Sequence, residues 1–217
     1  MVGFEFLENQ ASSYQFNSKG YPSKDPKYDT QNNGATPNTV TSAKSEWAQV
    51  SYFGKLGYNF RQKYFFDDSL RRDGSSRFGL NNRYGTFWST GLAWNIVAED
   101  FTKNNLGVWF NELKLRASVG KTGNNQIGNY DSQGVFGFGK YNGQSVIAES
   151  ALGNDKLSWE TNFSYNIGLD FAAFNNRLRG SIEYYDKKTS DLLYRVPKPS
   201  TVGFTSRLEN VGEMKNK

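Results

Sequence analysis

Hydrophobic and polar residues alternate with a period of two through much of this chain. Between residues 48 and 60, apolar residues or glycine occupy every second position, and mostly polar residues occupy the positions between them. Such alternation puts the two sets on opposite faces of a β-strand, whereas helical spacing would mix them. The pattern predicts six strands, at 48–60, 64–70, 86–96, 113–119, 159–171 and 178–187. The second of these alternates least cleanly, because Asp68 falls among its apolar positions.

The connections between the predicted strands alternate in length. Very short turns join strands at 59–63 and 174–177, and the pair Asn175 and Asn176 tolerates the positive φ of a tight hairpin. The connection 98–111 is too long for a tight turn, so a small helical or irregular turn is expected there. Long polar connections are predicted at 9–44, 73–85, 121–158 and 197–206. Short turns on one side and long loops on the other are typical of outer-membrane barrels.

Two kinds of protein alternate in this way. In a soluble β-sandwich the apolar face packs against a second sheet, and such a fold would be a secreted glycan-binding module. In a membrane barrel the apolar face meets lipid, and aromatic rings gather at the ends of the apolar band. Trp159 and Phe171 lie at opposite ends of one predicted strand and Tyr184 ends another, which favours lipid. Four residues distinguish the two folds, being exposed in a barrel and buried in a sandwich: Val50, Leu115, Ile167 and Leu169.

Composition excludes several kinds of chemistry. The 217 residues contain no Cys and no His, which excludes thiolate sites, His-based zinc sites and Ser-His-Asp triads within the chain. The net charge of +5, from 26 basic and 21 acidic residues, is scattered, so no nucleic-acid-binding arm is predicted. No apolar run approaches the roughly 18 residues of a membrane-spanning helix. The first ten residues lack the features of a secretory signal, so the chain is expected to stay inside the cell or to be an internal piece.

Three groups of motifs carry a family resemblance. They are SLRRDGSSRFG (69–79) with TFWS (86–89), LKLRASVGKTGN (113–124), and NNRL (175–178) with YYDKKTSDLL (184–193) and NVGEM (210–214). In this order and spacing they resemble the SusC/RagA type of TonB-dependent outer-membrane transporter. The resemblance extends over roughly residues 45–214.

The resemblance implies an all-β fold, a large antiparallel transmembrane β-barrel of about 22 strands with long extracellular loops and a plug in its lumen. Residues 1–217 would then be part of one TonB-dependent receptor barrel domain, with the plug and the remaining strands absent. The implied function is TonB-dependent import of oligosaccharides, glycans or peptides across the bacterial outer membrane. This chain would supply wall and extracellular loops, and it is not expected to be an enzyme.

The resemblance also implies partners. A SusD-like surface lipoprotein would cover the extracellular opening, and TonB with ExbB and ExbD would act through the plug. The wall would contact outer-membrane lipid, and the lumen would receive an oligosaccharide or peptide. No nucleic acid, cofactor, metal ligand or catalytic residue is expected.

Charged residues at the polar strand positions are candidates for lining the lumen. They are Lys114, Arg116, Glu160, Asp170, Arg179 and Glu183. These side chains could contact the plug or the substrate, or they could neutralise one another along a water-filled wall.

Aromatic residues in the predicted loop 121–158 are candidates for contact with substrate or lid. They are Tyr130, Phe136, Phe138 and Tyr141. Exposed rings suit stacking on sugars, on peptides or on another protein. The alternative is that the rings hold the loop against its neighbours. The same two interpretations apply to rings in the predicted loop 9–44, which are Tyr14, Phe16, Tyr21 and Tyr28.

The first motif allows an anion-binding interpretation, because Arg71, Arg72 and the backbone at 74–76 suit a carboxylate or phosphate. The structural alternative is a strand end held by local hydrogen bonds and by an ion pair with Asp73. We favour the structural interpretation, because a motif shared across a family should not select one substrate.

Overall fold

A computed structural model describes residues 1–20, 36–102 and 105–217 of the chain. These residues form mainly β-strands. The strands are β1 (Val2–Lys19), β2 (Thr36–Phe60), β3 (Tyr64–Ser75), β4 (Tyr84–Asn95), β5 (Phe110–Asn124), β6 (Val135–Tyr141), β7 (Gln144–Ala151), β8 (Glu160–Ala173), β9 (Leu178–Ser190), β10 (Leu193–Pro197), β11 (Ser206–Asn210) and β12 (Glu213–Asn216). One short helix, α1, spans Leu106–Trp109. Among these residues no helix is both long and apolar enough to cross a membrane.

The chain divides into two compact units. The first contains Met1–Leu7 and Gln49–Lys217, and the second contains Glu8–Ala48. The second unit holds the end of β1 and the beginning of β2. Within it, Tyr14 and Phe16 are exposed.

The prediction of a loop over 9–44 is wrong for the residues at its two ends. Residues 9–19 belong to β1 and residues 36–44 belong to β2. Polar residues fall at both alternating positions of 9–19, so this part of the strand has no apolar face to reveal it. Tyr21 and Tyr28 lie outside the described residues.

Eight strands of the chain form one sheet in the order β1-β2-β3-β4-β5-β8-β9-β12. The pairs from β2 onward are antiparallel. Two separate antiparallel hairpins, β6–β7 and β10–β11, lie in the connections on one side of this sheet. The prediction of loop throughout 121–158 is therefore wrong, because β5 extends to Asn124 and a hairpin follows. All six predicted strands are present. Three of them are markedly longer than predicted: β2 begins at residue 36 instead of 48, β3 ends at 75 instead of 70, and β5 extends over 110–124 instead of 113–119.

Tight turns connect strands on the opposite side, called here the short-turn side. Arg61 and Gln62 have φ angles of 52° and 58° between β2 and β3. Asn175 and Asn176 have φ angles of 55° and 63° between β8 and β9, which confirms the predicted backbone of that turn. The third connection contains a 3-10 turn at Ile96–Ala98 and then α1, as expected for a small helical or irregular turn. The other side of the sheet is called the loop side.

The strand register separates the sheet into an apolar face and a polar face. One row across the apolar face consists of Tyr58, Phe66, Leu92, Ala117, Ile167 and Tyr184. The adjoining row on the polar face consists of Gly57, Asp67, Gly91, Ser118, Asn166 and Tyr185. The two rows confirm the predicted alternation.

The apolar face is open. Leu115 and Ile167 are 40% and 50% exposed, while Val50 and Leu169 are half-buried. In the described part of the chain no second sheet packs on this face, so the β-sandwich alternative is wrong. An exposed apolar face that extends across several strands is typical of a surface that contacts lipid or another protein.

Candidate functional site

An ion-pair network lies on the polar face near the short-turn side. Arg116 Nε donates to Asp170 Oδ2 at 3.0 Å, and Arg116 Nη2 also pairs with Glu183. The Arg116 guanidinium lies over Gly168, the residue paired with Arg116 on β8, which has no side chain to obstruct it. Two carboxylates share the Arg116 cation, and Lys114 lies directly opposite Asp170 in the strand register.

The other predicted lumen residues lie on the same face but do not join this network. Lys114 Nζ lies 5.0 Å from the centre of the Phe65 ring, within cation–π range. Glu160 accepts a hydrogen bond from the backbone N of Leu193 at 3.1 Å. Arg179 makes no ion pair among the described residues. The register thus places all six charged residues on one face, and their position in a lumen stays a prediction.

A second network on the polar face joins β1, β2 and β3. Arg71 Nε donates to Asp73 Oδ1 at 2.6 Å, and Nη2 donates to Glu5 Oε2 and Ser51 Oγ, both at 2.8 Å. These contacts confirm the structural interpretation of Arg71 and Asp73. Arg72 lies on the opposite face, with Cζ 5.3 Å from the centre of the Tyr84 ring.

A hydrophobic cluster on the loop side joins three loops. Its members, called the loop-side cluster, are Phe78, Phe87, Leu157, Trp159 and Leu208. The ring centres of Phe78 and Phe87 lie 5.0 and 5.2 Å from that of Trp159. Trp159 Nε1 donates to the carbonyl oxygen of Arg83 at 3.0 Å. The loops 76–83, 125–159 and 191–212 therefore meet in one packed centre.

A polar cleft of 370 Å³ opens between the loop 128–152 and the β10–β11 hairpin. Asp131 Oδ1 pairs with Arg195 Nη2 at 3.3 Å inside it, and Asp131 Oδ2 accepts a hydrogen bond from Gly128 N. Tyr130 and Gln133 also line the cleft. Its ion pair and amide can recognise hydroxyl, amide or carboxylate groups of a ligand. In the described ranges no three His, Cys, Asp or Glu side chains gather as a metal site.

Comparison with known families identifies the architecture. The family model described as TonB dependent receptor-like, beta-barrel matches residues 2–217. The chain belongs to this TonB-dependent receptor β-barrel family.

Relatives of this receptor barrel come from two bacteria. TonB-dependent receptor P3 of Formosa agariphila is 36% identical over 221 residues, covering 99% of this chain and 22% of that receptor. TonB-dependent receptor SusC of Bacteroides thetaiotaomicron is 38% identical over 205 residues, covering 88% of this chain and 19% of SusC. The chain thus spans about a fifth of the length of these relatives.

Solved structures show the same likeness. The RagAB peptide transporter superposes with a TM-score of 0.87 at 36% identity, covering 99% of this chain and 24% of that one. The RagAB peptide importer in its "open-open" state gives a TM-score of 0.85. The predicted SusC/RagA resemblance and the all-β barrel fold are therefore confirmed. The eight-stranded sheet is an open section of barrel wall, with β1 and β12 at its two edges.

The four rings predicted to contact substrate or lid in this receptor barrel do not form one site. Tyr130 lines the cleft, whereas Phe136 and Phe138 lie on the β6–β7 hairpin. Phe136 and Phe138 share a hairpin face with Ile147, and Phe138 is 87% exposed. Tyr141 falls on the other hairpin face.

Sequence reasoning missed the Asp131–Arg195 pair of the cleft. The two residues belong to different loops, and neither loop has a periodic pattern that indicates which residues of the other it meets. Ile147 was missed because β7 carries only scattered apolar residues. Only the pairing of β6 with β7, which places Ile147 opposite Phe138, shows that the two side chains share a face.

A carboxylate fixes the loop after β4 on the short-turn side of the receptor barrel. Glu99 Oε1 accepts hydrogen bonds from the Tyr64 hydroxyl at 2.6 Å and from Trp94 Nε1 at 3.1 Å. Glu99 Oε2 pairs with Lys63 Nζ at 3.0 Å. The hydrogen bond from Tyr64, followed by that from Lys63, lowers the pKa of the Glu99 carboxyl below its ordinary value.

This lowered pKa makes the stability of the receptor barrel depend on pH. Because the folded-state pKa of Glu99 lies below its unfolded value of about 4.3, ionised Glu99 stabilises the fold above that pH. The contribution is lost as the pH falls through the lowered pKa. Glu99→Gln should therefore lower the guanidinium midpoint of unfolding at pH 7, and should lower it by less at pH 3.

The matched control for this experiment is Glu112→Gln. Glu112 is exposed at the start of β5, where the described residues give it no ion pair. Glu112→Gln should change the guanidinium midpoint of unfolding little at either pH. An equal loss of stability by Glu99→Gln at pH 7 and at pH 3 would show that the charge of Glu99 is not what stabilises the loop.

Proposed function

We propose that this chain forms wall and extracellular loops of a bacterial outer-membrane transporter that imports oligosaccharides or peptides with energy from TonB. On this proposal residues 1–217 belong to one barrel domain. The observation that carries the proposal is the two-faced sheet: an open apolar face lies opposite a polar face crossed by ion pairs. That arrangement suits a wall between lipid and a water-filled lumen.

The polar face lines the lumen in this proposal. Arg116 with Asp170 and Glu183, and Arg71 with Glu5 and Asp73, present charges that are already paired along the wall. Paired charges stay compatible with water and bind a passing solute weakly. The residues left for contact with plug or substrate are Lys114 and Arg179, whose ammonium and guanidinium groups have no carboxylate partner in the described ranges.

The loop side captures the substrate before import. The cleft with Asp131, Arg195 and Gln133 offers donors and acceptors that fit the amide and carboxylate groups of a peptide as well as sugar hydroxyls. Support for a peptide comes from the structural likeness to the RagAB peptide transporter. The exposed rings Phe136 and Phe138 face solvent and suit contact with a SusD-like surface lipoprotein acting as lid.

Energy for import would come from the TonB, ExbB and ExbD proteins of the inner membrane, acting on a plug. The described residues form wall, hairpins and loops. Their part in the cycle is passive in this proposal: they hold the lumen open, present the cleft to the substrate and support the lid. No catalytic step is assigned to them.

The test of this function is a depletion experiment with living cells. Cells of the bacterium that produces the protein, and cells of the same strain lacking it, receive a mixture of oligosaccharides and peptides. Mass spectrometry follows the concentration of each compound in the medium. Loss of the protein should slow the uptake of one class at least tenfold, and loss of TonB should slow the same class. Unchanged uptake of both classes would reject the proposal.

A cleft variant sharpens this test. Cells carrying Asp131→Ala with Arg195→Ala should import the identified class several-fold more slowly at low concentration and at the normal rate when substrate is in excess. Lys140→Ala, an exposed residue of β6 outside the cleft, is the matched control and should import normally.

A further inference from the structure

Basic residues interrupt the apolar face near the loop side. One register row across this face reads Leu70, Trp88, Lys121, Phe163, Lys188 and Lys215. Arg72 lies one row closer to the loops. The next row toward the short turns is Leu56, Asp68, Thr90, Val119, Tyr165 and Asp186, where Asp186 pairs with Lys217. The row beyond it, that of Leu92 and Ile167, carries apolar and aromatic side chains. Cations and rings are thus concentrated at the loop-side edge of this face, and the acidic residues of the adjoining row have partners of their own.

Two of these cations lack a carboxylate partner. Lys188 pairs with Glu213 across the β9–β12 ladder, and Glu213 also lies two residues from Lys215. Among the described residues no Asp or Glu lies within ion-pairing distance of Arg72 or Lys121. Asp68, on the same face, accepts a hydrogen bond from Thr90 instead. Arg72 and Lys121, named here the cation rim, therefore carry uncompensated charge.

Aromatic residues flank both members of the cation rim. Arg72 Cζ lies 5.3 Å from the centre of the Tyr84 ring. Lys121 pairs directly with Trp88 on one side and Phe163 on the other, and those two ring centres lie 6.4 Å apart. Arg72 and Lys121 are two strands and one row apart, which puts their backbones about 12 Å from each other. Both long side chains can reach one anionic group between them.

An apolar groove of 680 Å³ begins at Arg72 and runs along the same face. Its floor is Gly54, where a side chain would meet nothing closer than the Met1 carbonyl oxygen at 4.0 Å. Phe4, Tyr52 and Leu70 form its walls. A groove with an unpaired cation at its end suits a ligand with an apolar tail and an anionic head.

The height of the cation rim fits the boundary between acyl chains and headgroups. From Phe163 to Ala173 along β8, the apolar face extends about 34 Å along the strand, or about 26 Å across a membrane at a typical strand tilt. The apolar band of outer-membrane barrels is about 25 Å tall. Charged side chains at this edge can reach headgroups without entering the acyl region.

We propose that the cation rim and the groove over Gly54 bind one phosphorylated membrane lipid. Its phosphate lies between Arg72 and Lys121, and one acyl chain occupies the groove. A free phosphate ion would leave the groove empty, and an uncharged lipid would leave the cations unpaired. The inference rests on the proposed function only in taking the apolar face to lie in a bilayer.

The experiment is native mass spectrometry of the protein as the cell makes it, extracted in detergent. The probes are monophosphoryl lipid A and the same lipid with its phosphate removed. The unaltered protein should bind the phosphorylated form at least tenfold more tightly. Arg72→Gln with Lys121→Gln should abolish that preference, and Lys121→Arg should keep it.

Two further variants complete the design. Lys55→Gln removes an exposed cation from the polar face and is the matched control, which should leave the preference unchanged. Gly54→Leu fills the groove and should weaken binding of both lipid forms. The unfolding midpoint of each variant verifies that it is folded.

Equal binding of the two lipids by the unaltered protein, or an undiminished preference in the double variant, would overturn this proposal. Full displacement of the lipid by millimolar inorganic phosphate would also overturn it, because the groove would then contribute nothing. Absence of the lipid preference in the unaltered protein, together with normal nutrient uptake, would reject the lipid site alone. Normal preference without any uptake would reject the proposed transport function alone.

Discussion

Replacing Phe78 by alanine is expected to lower the free energy of unfolding by about 3–5 kcal/mol. Phe78 is 1% exposed and packs on Trp159 in the loop-side cluster. The surrounding segments cannot close the resulting cavity easily, because the chain at Gly79 already lies against the backbone of Asp155. Since the cluster joins loops 76–83, 125–159 and 191–212, all three should loosen together.

Limited proteolysis of the detergent-solubilised protein measures this effect loop by loop. In Phe78→Ala, cleavage should accelerate in all three loops, while the strands remain protected. Phe138→Ala is the matched control, because Phe138 is 87% exposed and its loss should cost no more than about 0.5 kcal/mol. Accelerated cleavage confined to 76–83 would show that the cluster does not couple the loops.

Placing an arginine on the apolar face should be almost as costly. Ala117 is exposed in the middle row of that face, between Leu92 and Ile167. An arginine at the middle of a bilayer costs a barrel about 2–4 kcal/mol. Ala117→Arg should therefore destabilise the protein in phospholipid bilayers by that amount and reduce the quantity that reaches the outer membrane.

The adjacent residue provides the control for this prediction. Ser118 is also exposed and small, but it lies on the polar face between Gly91 and Asn166. Ser118→Arg should cost about 0.5 kcal/mol or less, because its charge stays in water. Guanidinium unfolding in bilayers compares the two variants directly. Equal losses would mean that the apolar face does not contact lipid.

Strands could be predicted from the sequence where one face is apolar. In β8, Phe163, Ile167 and Phe171 alternate with polar neighbours, and the period alone indicates a strand. The predicted strand 64–70 was confirmed despite Asp68, whose carboxylate is satisfied by Thr90 on the apolar face. The physical basis is that an apolar environment on one side of a sheet selects side chains at every second position.

Strands without such a face could not be predicted. The far part of β1, around Tyr14 and Phe16, has polar residues at both alternating positions. The hairpins β6–β7 and β10–β11 are short, and their pairing depends on turns such as Asn142 and Gly143, with φ angles of 50° and 80°. Backbone pairing outside the apolar band leaves little trace in hydrophobic pattern.

For a related reason, the polar face of the candidate site could be predicted from the sequence and the contacts between its loops could not. Side chains alternate between the two faces along each strand, so the alternation assigned Lys114, Arg116 and Asp170 to one face correctly. The loop contacts depend on which residues of separate loops meet, and the alternation along a strand carries no information about that. Phe78 illustrates the difference: its motif was recognised, but Leu157 and Leu208 as its partners became visible only in three dimensions.

The loop-side cluster has a consequence for the evolution of recognition. The β6–β7 hairpin leaves the cluster near Ile127 and returns to it at Leu157, so both of its stems are fixed to the same packed centre. Residues 135–151 between them can change sequence or length without disturbing the strands that cross the membrane. On the proposed function, the hairpin can therefore acquire new binding surfaces while the barrel wall stays the same.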